Sequence, residues 1–130
     1  MEEPDDDVVG LATRMFDLAR SGDSEALAAY LDAGLPVDLA NQSGDTLVML
    51  AAYHGRAATV RVLVERGADP DRANDRGQTP LAGAVFKDEE EVIGVLVGAG
   101  ADPHAGQPSA LATAKMFGRG DLADLLVRRP

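Results

Sequence analysis

The stretch Asn74-Asp75-Arg76-Gly77-Gln78-Thr79-Pro80-Leu81 decides the fold, because it contains a helix start and a motif that recurs along the chain. The Thr79 hydroxyl can cap the free amides at a helix N-terminus. Pro80 suits the first helical position because its missing N–H would have no partner there. We therefore predict a helix that begins at Pro80.

The same motif appears again 33 residues upstream, as Asn41-Gln42-Ser43-Gly44-Asp45-Thr46. A second marker has the same period, since Gly34, Gly67 and Gly100 are also 33 residues apart. In the last unit the spacing shortens to 30, as Leu111 follows Leu81. The repeat predicts four units behind an acidic, disordered tail at 1–7, with the units near 8–40, 41–73, 74–106 and 107–130.

Each unit is predicted to contain two helices. Thr46 and Ser109 occupy the cap position of Thr79, and the first helices are expected to stop around Gly55, Asp88 and Gly118. Asp88 with Glu91 could form a capping box for a second helix. Apolar residues at spacings of three and four mark one buried stripe on each second helix: Val60, Leu63, Val64; Val92, Ile93, Leu96, Val97; Leu122, Leu125, Leu126.

Gly34, Gly67 and Gly100 are expected to end the second helices in a left-handed conformation, which Gly adopts freely. Since each unit has an apolar stripe without a partner, the units must stack to bury it. The fold class predicted from these patterns is all-α, a solenoid of stacked helix-turn-helix units.

These residues resemble ankyrin repeats. The resemblance depends on 74–81 and on the loop Gly67-Ala68-Asp69-Pro70-Asp71. It implies an L-shaped stack with projecting β-turns and a concave face formed by the first helices. The sequence departs from the family pattern at Met49 and Ala82, which replace a histidine, and at Leu47, which replaces a proline.

The resemblance also implies where a partner would bind, because ankyrin arrays have no catalytic centre and bind through turn tips and the ends of the first helices. At the turn tips the corresponding residues are Gln42, Ser43, Asp45, Asp75, Arg76 and Gln78. At the helix ends they are Tyr53, His54, Phe86, Lys87, Met116 and Phe117.

Three of the five aromatic residues, Tyr53, Phe86 and Phe117, fall at these helix ends. Large, rigid, partly apolar side chains are enriched in binding hot spots. Two interpretations remain open from sequence, namely contact with a partner and packing inward against the neighbouring helices.

Composition limits the other functions. With 22 acidic and 12 basic residues the net charge is −10, which repels phosphate backbones and anionic lipid, so we expect neither nucleic-acid nor membrane binding. The two histidines, His54 and His104, are far apart in sequence and cysteine is absent, so no metal site or cofactor is predicted. No nucleophile or phosphate-loop motif occurs, which argues against an enzyme.

The leading hypothesis is a monomeric adaptor or regulator that binds another protein with a basic patch. The acidic N-terminus lacks an export signal, so a cytoplasmic location is expected, and the ten Arg against two Lys favour a bacterial source. Two alternatives stay open: an acidic mimic of nucleic acid that occupies a nucleic-acid-binding protein, and a self-associating structural protein.

Overall fold

The computed structural model describes residues 4–128, which fold into helices joined by turns and loops. No strand occurs within this range, and two isolated β-bridges join Ala40 to Thr46 and Gly106 to Ser109. The prediction of an all-α fold is confirmed. The helices are α1 Pro4–Ser21, α2 Ser24–Asp32, α3 Leu47–Tyr53, α4 Ala57–Glu65, α5 Pro80–Phe86, α6 Glu90–Gly98, α7 Ala110–Met116 and α8 Gly120–Val127.

The helices pair along the chain, and the pairs stack side by side in two layers. The first helices α1, α3, α5 and α7 each contact the next, and α2, α4 and α6 form the second layer in the same order. Each first helix also packs on the second helix of its own unit. The core lies between the layers and contains fully buried side chains from both: Leu47, Leu63, Leu81, Leu96 and Leu126.

The helix ends follow the local chemistry of the sequence. The hydroxyls of Thr46, Thr79 and Ser109 accept hydrogen bonds from the amides three residues later, at 3.2, 3.2 and 3.0 Å. The predicted caps are therefore confirmed. Past the ends of the second helices, the φ angles of Gly34, Gly67 and Gly100 are 105°, 93° and 87°, in the left-handed region that favours glycine.

Neighbouring turns are joined by the side chain of Asn74, which is only 7% exposed. Its Oδ1 accepts hydrogen bonds from the amides of Arg76 and Gln78 at 2.9 and 3.0 Å. Its Nδ2 donates to Asp45 Oδ1 in the preceding unit at 2.8 Å and to Gln78 Oε1 at 2.9 Å. One buried amide thus shapes its own turn and ties it to the turn before.

A second connection between units lies at the opposite end of the first helices. Arg56 Nε donates to the carbonyl of Arg20 at 2.8 Å. At the equivalent position two units later, Arg119 Nη1 donates to Asp88 Oδ1 at 2.7 Å. In both cases the residue before a second helix forms a hydrogen bond with the unit before it. The acceptor lies at the C-terminal end of that unit's first helix or in the turn that follows it.

The predicted capping box between Asp88 and Glu91 is wrong. Helix α6 begins one residue after Glu89, whose side chain makes no cap hydrogen bond. Asp88 lies in the turn before it with φ of 57°, the position that Gly55 occupies in the preceding unit with φ of 75°. Because Asp88 stands too early to cap α6, its carboxylate pairs with Arg119 instead.

The predicted tail at 1–7 is corrected for residues 4–7, which belong to α1. Proline is favourable at a first helical position. Residues 1–3 lie outside the described part of the chain.

The apolar stripe of the last second helix also differs from the prediction. Leu122 and Leu126 are buried as expected, but Leu125 is 53% exposed. Val95, at the equivalent position of α6, is half-buried. Leu125 lines a cleft on the side of α8 that faces α6, together with Ile93 and Gly94.

Between residues 4 and 128, no helix is both long and apolar enough to cross a bilayer. In residues 8–128, whose side chains the structure describes, no three His, Asp or Glu come together in a group that could hold a metal ion.

Candidate interaction face

The face formed by the first helices contains no carboxylate in α3, α5 or α7. These helices read LVMLAAY, PLAGAVF and ALATAKM, with Lys115 as the one charged residue among them. Small residues such as Ala51, Ala84 and Ala114 are fully buried, which lets the helices pack closely. The acidic residues of units two to four therefore lie in the turns, the loops and the second helices.

Four large side chains are exposed at the C-terminal ends of these helices and form an aromatic patch. Tyr53, Phe86, Met116 and Phe117 are 38%, 58%, 67% and 53% exposed. The rings of Phe86 in the third unit and Phe117 in the fourth contact each other, with centroids 5.7 Å apart. The structure thus places these residues on the surface, next to one another, and not in the core.

A cleft of about 200 Å³ opens beside the patch, and we call it the central cleft. Gly83 forms part of its wall, where an added Cβ would lie 3.2 Å from Met49 Cε and 3.6 Å from Tyr53 Cδ1. A side chain at position 83 would therefore narrow the cleft. Its other walls include Phe86, Thr113 and Met116.

A second cleft of about 340 Å³ joins the aromatic patch to the turn tips. Tyr53 and Phe86 line it together with three turn residues, Asp45, Arg76 and Gln78. The structure therefore brings together five of the residues that the sequence singled out, from two turns and two helix ends.

Positive charge surrounds Tyr53 and His54. Lys87 Nζ lies 4.5 Å from the centre of the Tyr53 ring, at a distance typical of a cation–π contact. The His54 ring meets Tyr53 edge-on with centroids 5.7 Å apart. Burial lowers the pKa of His54 below its usual value of 6.5, and the nearby charges of Arg20, Lys87 and Arg56 lower it further.

Two of these cations lack an acidic partner in the described chain. Arg20 pairs with Asp17 at 3.0 Å, whereas no carboxylate within residues 8–128 forms an ion pair with Lys87 or Arg56. The nearby carboxylate of Glu89 lies over Gly55, where its oxygens would be 2.7 Å from an added Cβ. This end of the face is locally positive although the protein carries a net charge of −10.

A comparison with known families decides the identity of the repeat, because a family model described as ankyrin repeats, with three copies, matches residues 15–107. The chain belongs to the ankyrin-repeat family. The matched range covers the first three helical pairs from the middle of α1 onward and ends before α7. The packing of α7 on α5 and of α8 on α7 continues the array beyond the match.

A curated relative carries the same repeat. The chain is 55% identical over 49 residues to a Pseudomonas aeruginosa protein named "putative ankyrin repeat protein". The alignment covers 38% of this chain and 29% of the relative. The matched part of this chain thus spans less than a third of that protein's length.

The ankyrin turn tips divide into two groups. Asp45 and Gln78 are half-buried and accept hydrogen bonds from Asn74, so Asp45 joins two units and Gln78 stabilises the turn of its own unit. Both also line the second cleft. Gln42, Ser43, Asp75 and Arg76 are exposed. Of these, Gln42 and Ser43 line a separate open cleft against α1, away from the aromatic patch.

Sequence reasoning missed three contributors to this ankyrin face. In the sequence Met49 stands out only as a departure from the family histidine, and Gly83 carries no signal of a binding role, yet both line the central cleft. Arg56 was not singled out at all. Their positions relative to Tyr53 depend on how neighbouring units pack, and the spacing of residues in one unit carries no signal of that.

Proposed function

We propose that this chain is a non-catalytic protein-interaction module, an adaptor or regulator that binds a partner protein through the aromatic patch and the adjoining turn tips. The observation that carries the proposal is the exposure of four large apolar side chains around a cleft. Exposed apolar clusters on soluble proteins commonly mark interaction sites. Aromatic residues supply much of the binding energy at such sites.

The face suits a macromolecular partner better than a small substrate. Its clefts lie side by side along neighbouring units, and the residues that line them are apolar side chains and turn residues. We propose that the partner spans several units, as the stacked arrangement allows. A cytoplasmic location and a monomeric state remain part of this proposal, and the absence of cysteine fits a reducing compartment.

A site-specific cross-linking experiment tests the proposal. A photoreactive phenylalanine at position 86, in the full chain expressed in its native cells, should cross-link to a discrete partner protein. The matched control places the same residue at Ala58, which is exposed on α4 in the other layer. Equal cross-linking patterns from the two positions, or none from position 86, would contradict an interaction face at the aromatic patch.

The acidic-mimic alternative draws support from the net charge of −10. It predicts partner binding that nucleic acid competes away and that cross-links through the acidic second helices and loops. Because α3, α5 and α7 contain no carboxylate, this alternative predicts no cross-link from position 86. The leading proposal predicts one.

A further inference from the structure

The central cleft and the unpaired cations beside it indicate the chemistry of the partner. We propose that they bind an acidic segment of the partner protein, in which a large apolar side chain stands next to carboxylates. This inference rests on the proposed function, and it specifies which kind of protein surface the aromatic patch recognises.

The central cleft is suited to one large apolar side chain. Its volume is about 200 Å³, and an apolar cavity of about 150 Å³ is known to hold a benzene ring. Met49, Phe86 and Met116 give it flexible and aromatic walls. Methionine adapts to the shape of a ligand because its side chain is unbranched and polarisable.

The charges beside the cleft select the neighbours of that apolar side chain. Lys87 lies over Tyr53, at the border of the cleft, without an ion pair in residues 8–128. Arg56 does not line the cleft but lies near His54, and its guanidinium group is held by the hydrogen bond from Nε to the Arg20 carbonyl without a carboxylate partner in the same range. Carboxylates of a bound segment would complement both cations.

At the short distances of a binding contact, the charges close to the cleft matter more than the net charge of the protein. Screening limits electrostatic interactions between exposed groups to about 8–10 Å at physiological salt. The helices that build the face contribute no carboxylate. Of the acidic residues that follow Lys87, Asp88 pairs with Arg119 and the Glu89 carboxylate lies over Gly55. The expectation of a basic partner, which came from the net charge, is therefore replaced by that of an acidic segment at this face.

A selection experiment tests the proposal. Random peptides displayed on phage are panned on the full chain and counter-selected on the Phe86→Ser variant. We expect the recovered peptides to contain a large apolar residue flanked by Asp or Glu. A recovered peptide, made synthetically with a fluorescent label, should lose about tenfold in affinity when its acids are changed to Gln, as expected for two weakly screened charge pairs.

The Lys87→Glu variant should bind this peptide about tenfold more weakly, because attraction becomes repulsion. The Lys87→Met variant is the matched control, since it removes the charge and keeps the length of the side chain, and it should lose about threefold. Thermal melting by circular dichroism verifies that both variants fold, as expected for an exposed position. Unchanged or tighter binding by Lys87→Glu would overturn the proposal.

The outcomes separate this inference from the proposed function. Recovery of Phe86-dependent peptides with neutral or basic flanks would contradict the proposal of an acidic segment. It would still support an interaction face at the aromatic patch. Recovery of no Phe86-dependent peptide would overturn both. A labelled single-stranded oligonucleotide is the further control, because aromatic side chains and cations also bind such strands. If the oligonucleotide displaces the peptide and its binding depends on Phe86, the proposal of an acidic segment is wrong and nucleic acid is the better candidate.

Discussion

Arg119 and Asp88 form an ion pair between the third and fourth ankyrin units, with 2.7 Å between Nη1 and Oδ1. Arg119 also binds Asp121 at 3.1 Å, and hydrogen bonds to Asp121 and Asp88 raise the pKa of its guanidinium group. Asp88 is at the same time the one residue other than glycine with positive φ in the described chain, at 57°. Its side chain and its backbone therefore make separate contributions to stability, which substitutions can distinguish.

Replacing Asp88 with Gly and with Ala removes the ion pair in both variants. The two variants then differ only in what the left-handed backbone conformation at position 88 costs. A left-handed conformation costs a residue with a Cβ about 1 kcal/mol relative to Gly. We expect the Gly variant to exceed the Ala variant in free energy of unfolding by about 1 kcal/mol. Urea denaturation measures the difference, and identical midpoints would show that position 88 is not held at positive φ.

The Asn74→Ala substitution should destabilise the protein by about 2–3 kcal/mol, because it leaves two turn amides and a half-buried carboxylate without their hydrogen bonds. Asn41→Ala is the matched control in the preceding turn. Asn41 Oδ1 accepts from the amides of Ser43 and Asp45, and within residues 8–128 its side chain makes no hydrogen bond to another unit. A smaller loss is expected for Asn41→Ala. Equal losses in chemical denaturation would argue against a role for Asn74 in joining the units.

Alanine substitutions at Gly83 and Gly94 test the shape of the central cleft. Both residues lie inside helices, where Ala is favoured over Gly by about 1 kcal/mol. An added Cβ at Gly94 meets no atom within 4 Å, whereas at Gly83 it lies 3.2 Å from Met49 Cε. We expect Gly94→Ala to stabilise the protein by the larger amount.

The same pair of variants should differ in binding. Gly83→Ala narrows the cleft and should weaken binding of a Phe86-dependent peptide, while Gly94→Ala should leave its affinity unchanged. Fluorescence anisotropy measures both affinities. A peptide that binds both variants equally well would show that its apolar side chain does not enter the central cleft.

Acidification should reduce stability through His54. Its pKa is lowered in the folded state, so the unfolded chain takes up the proton more readily. The contribution is fully present above the unfolded value of 6.5 and is lost as the pH falls through the lower, folded pKa. The carboxylates of Asp32 and Asp121 have pKa values lowered from 3.8, so they act at more acidic pH.

The His54→Gln variant should therefore lose less stability than the wild-type protein between about pH 7.5 and pH 5. Denaturation midpoints over this interval measure the effect. Added salt should reduce the difference, because part of the shift comes from the charges of Arg20, Lys87 and Arg56. Parallel pH profiles for the two proteins would contradict the assignment to His54.

Much of the fold was predictable because it depends on local interactions. The hydroxyl of Thr79 caps an amide only three residues later, and Gly67 ends a helix through its own φ angle. Such effects repeat wherever the residues repeat, so a period of 33 residues implies a regular stack. The capping box failed for a related reason, since the left-handed turn at Asp88 moved the cap position by one residue, to Glu89.

The sequence by itself determined the repeat, the helix caps and the register that aligns Tyr53 with Phe86, because these depend on short-range chemistry and on spacing. Only the tertiary structure decided that Phe86 contacts Phe117, that Lys87 lies over Tyr53, and that Asp88 pairs with Arg119. These contacts join residues about 30 positions apart. Their geometry is fixed by the rotation and offset of one packed helical pair against the next, which no single unit encodes.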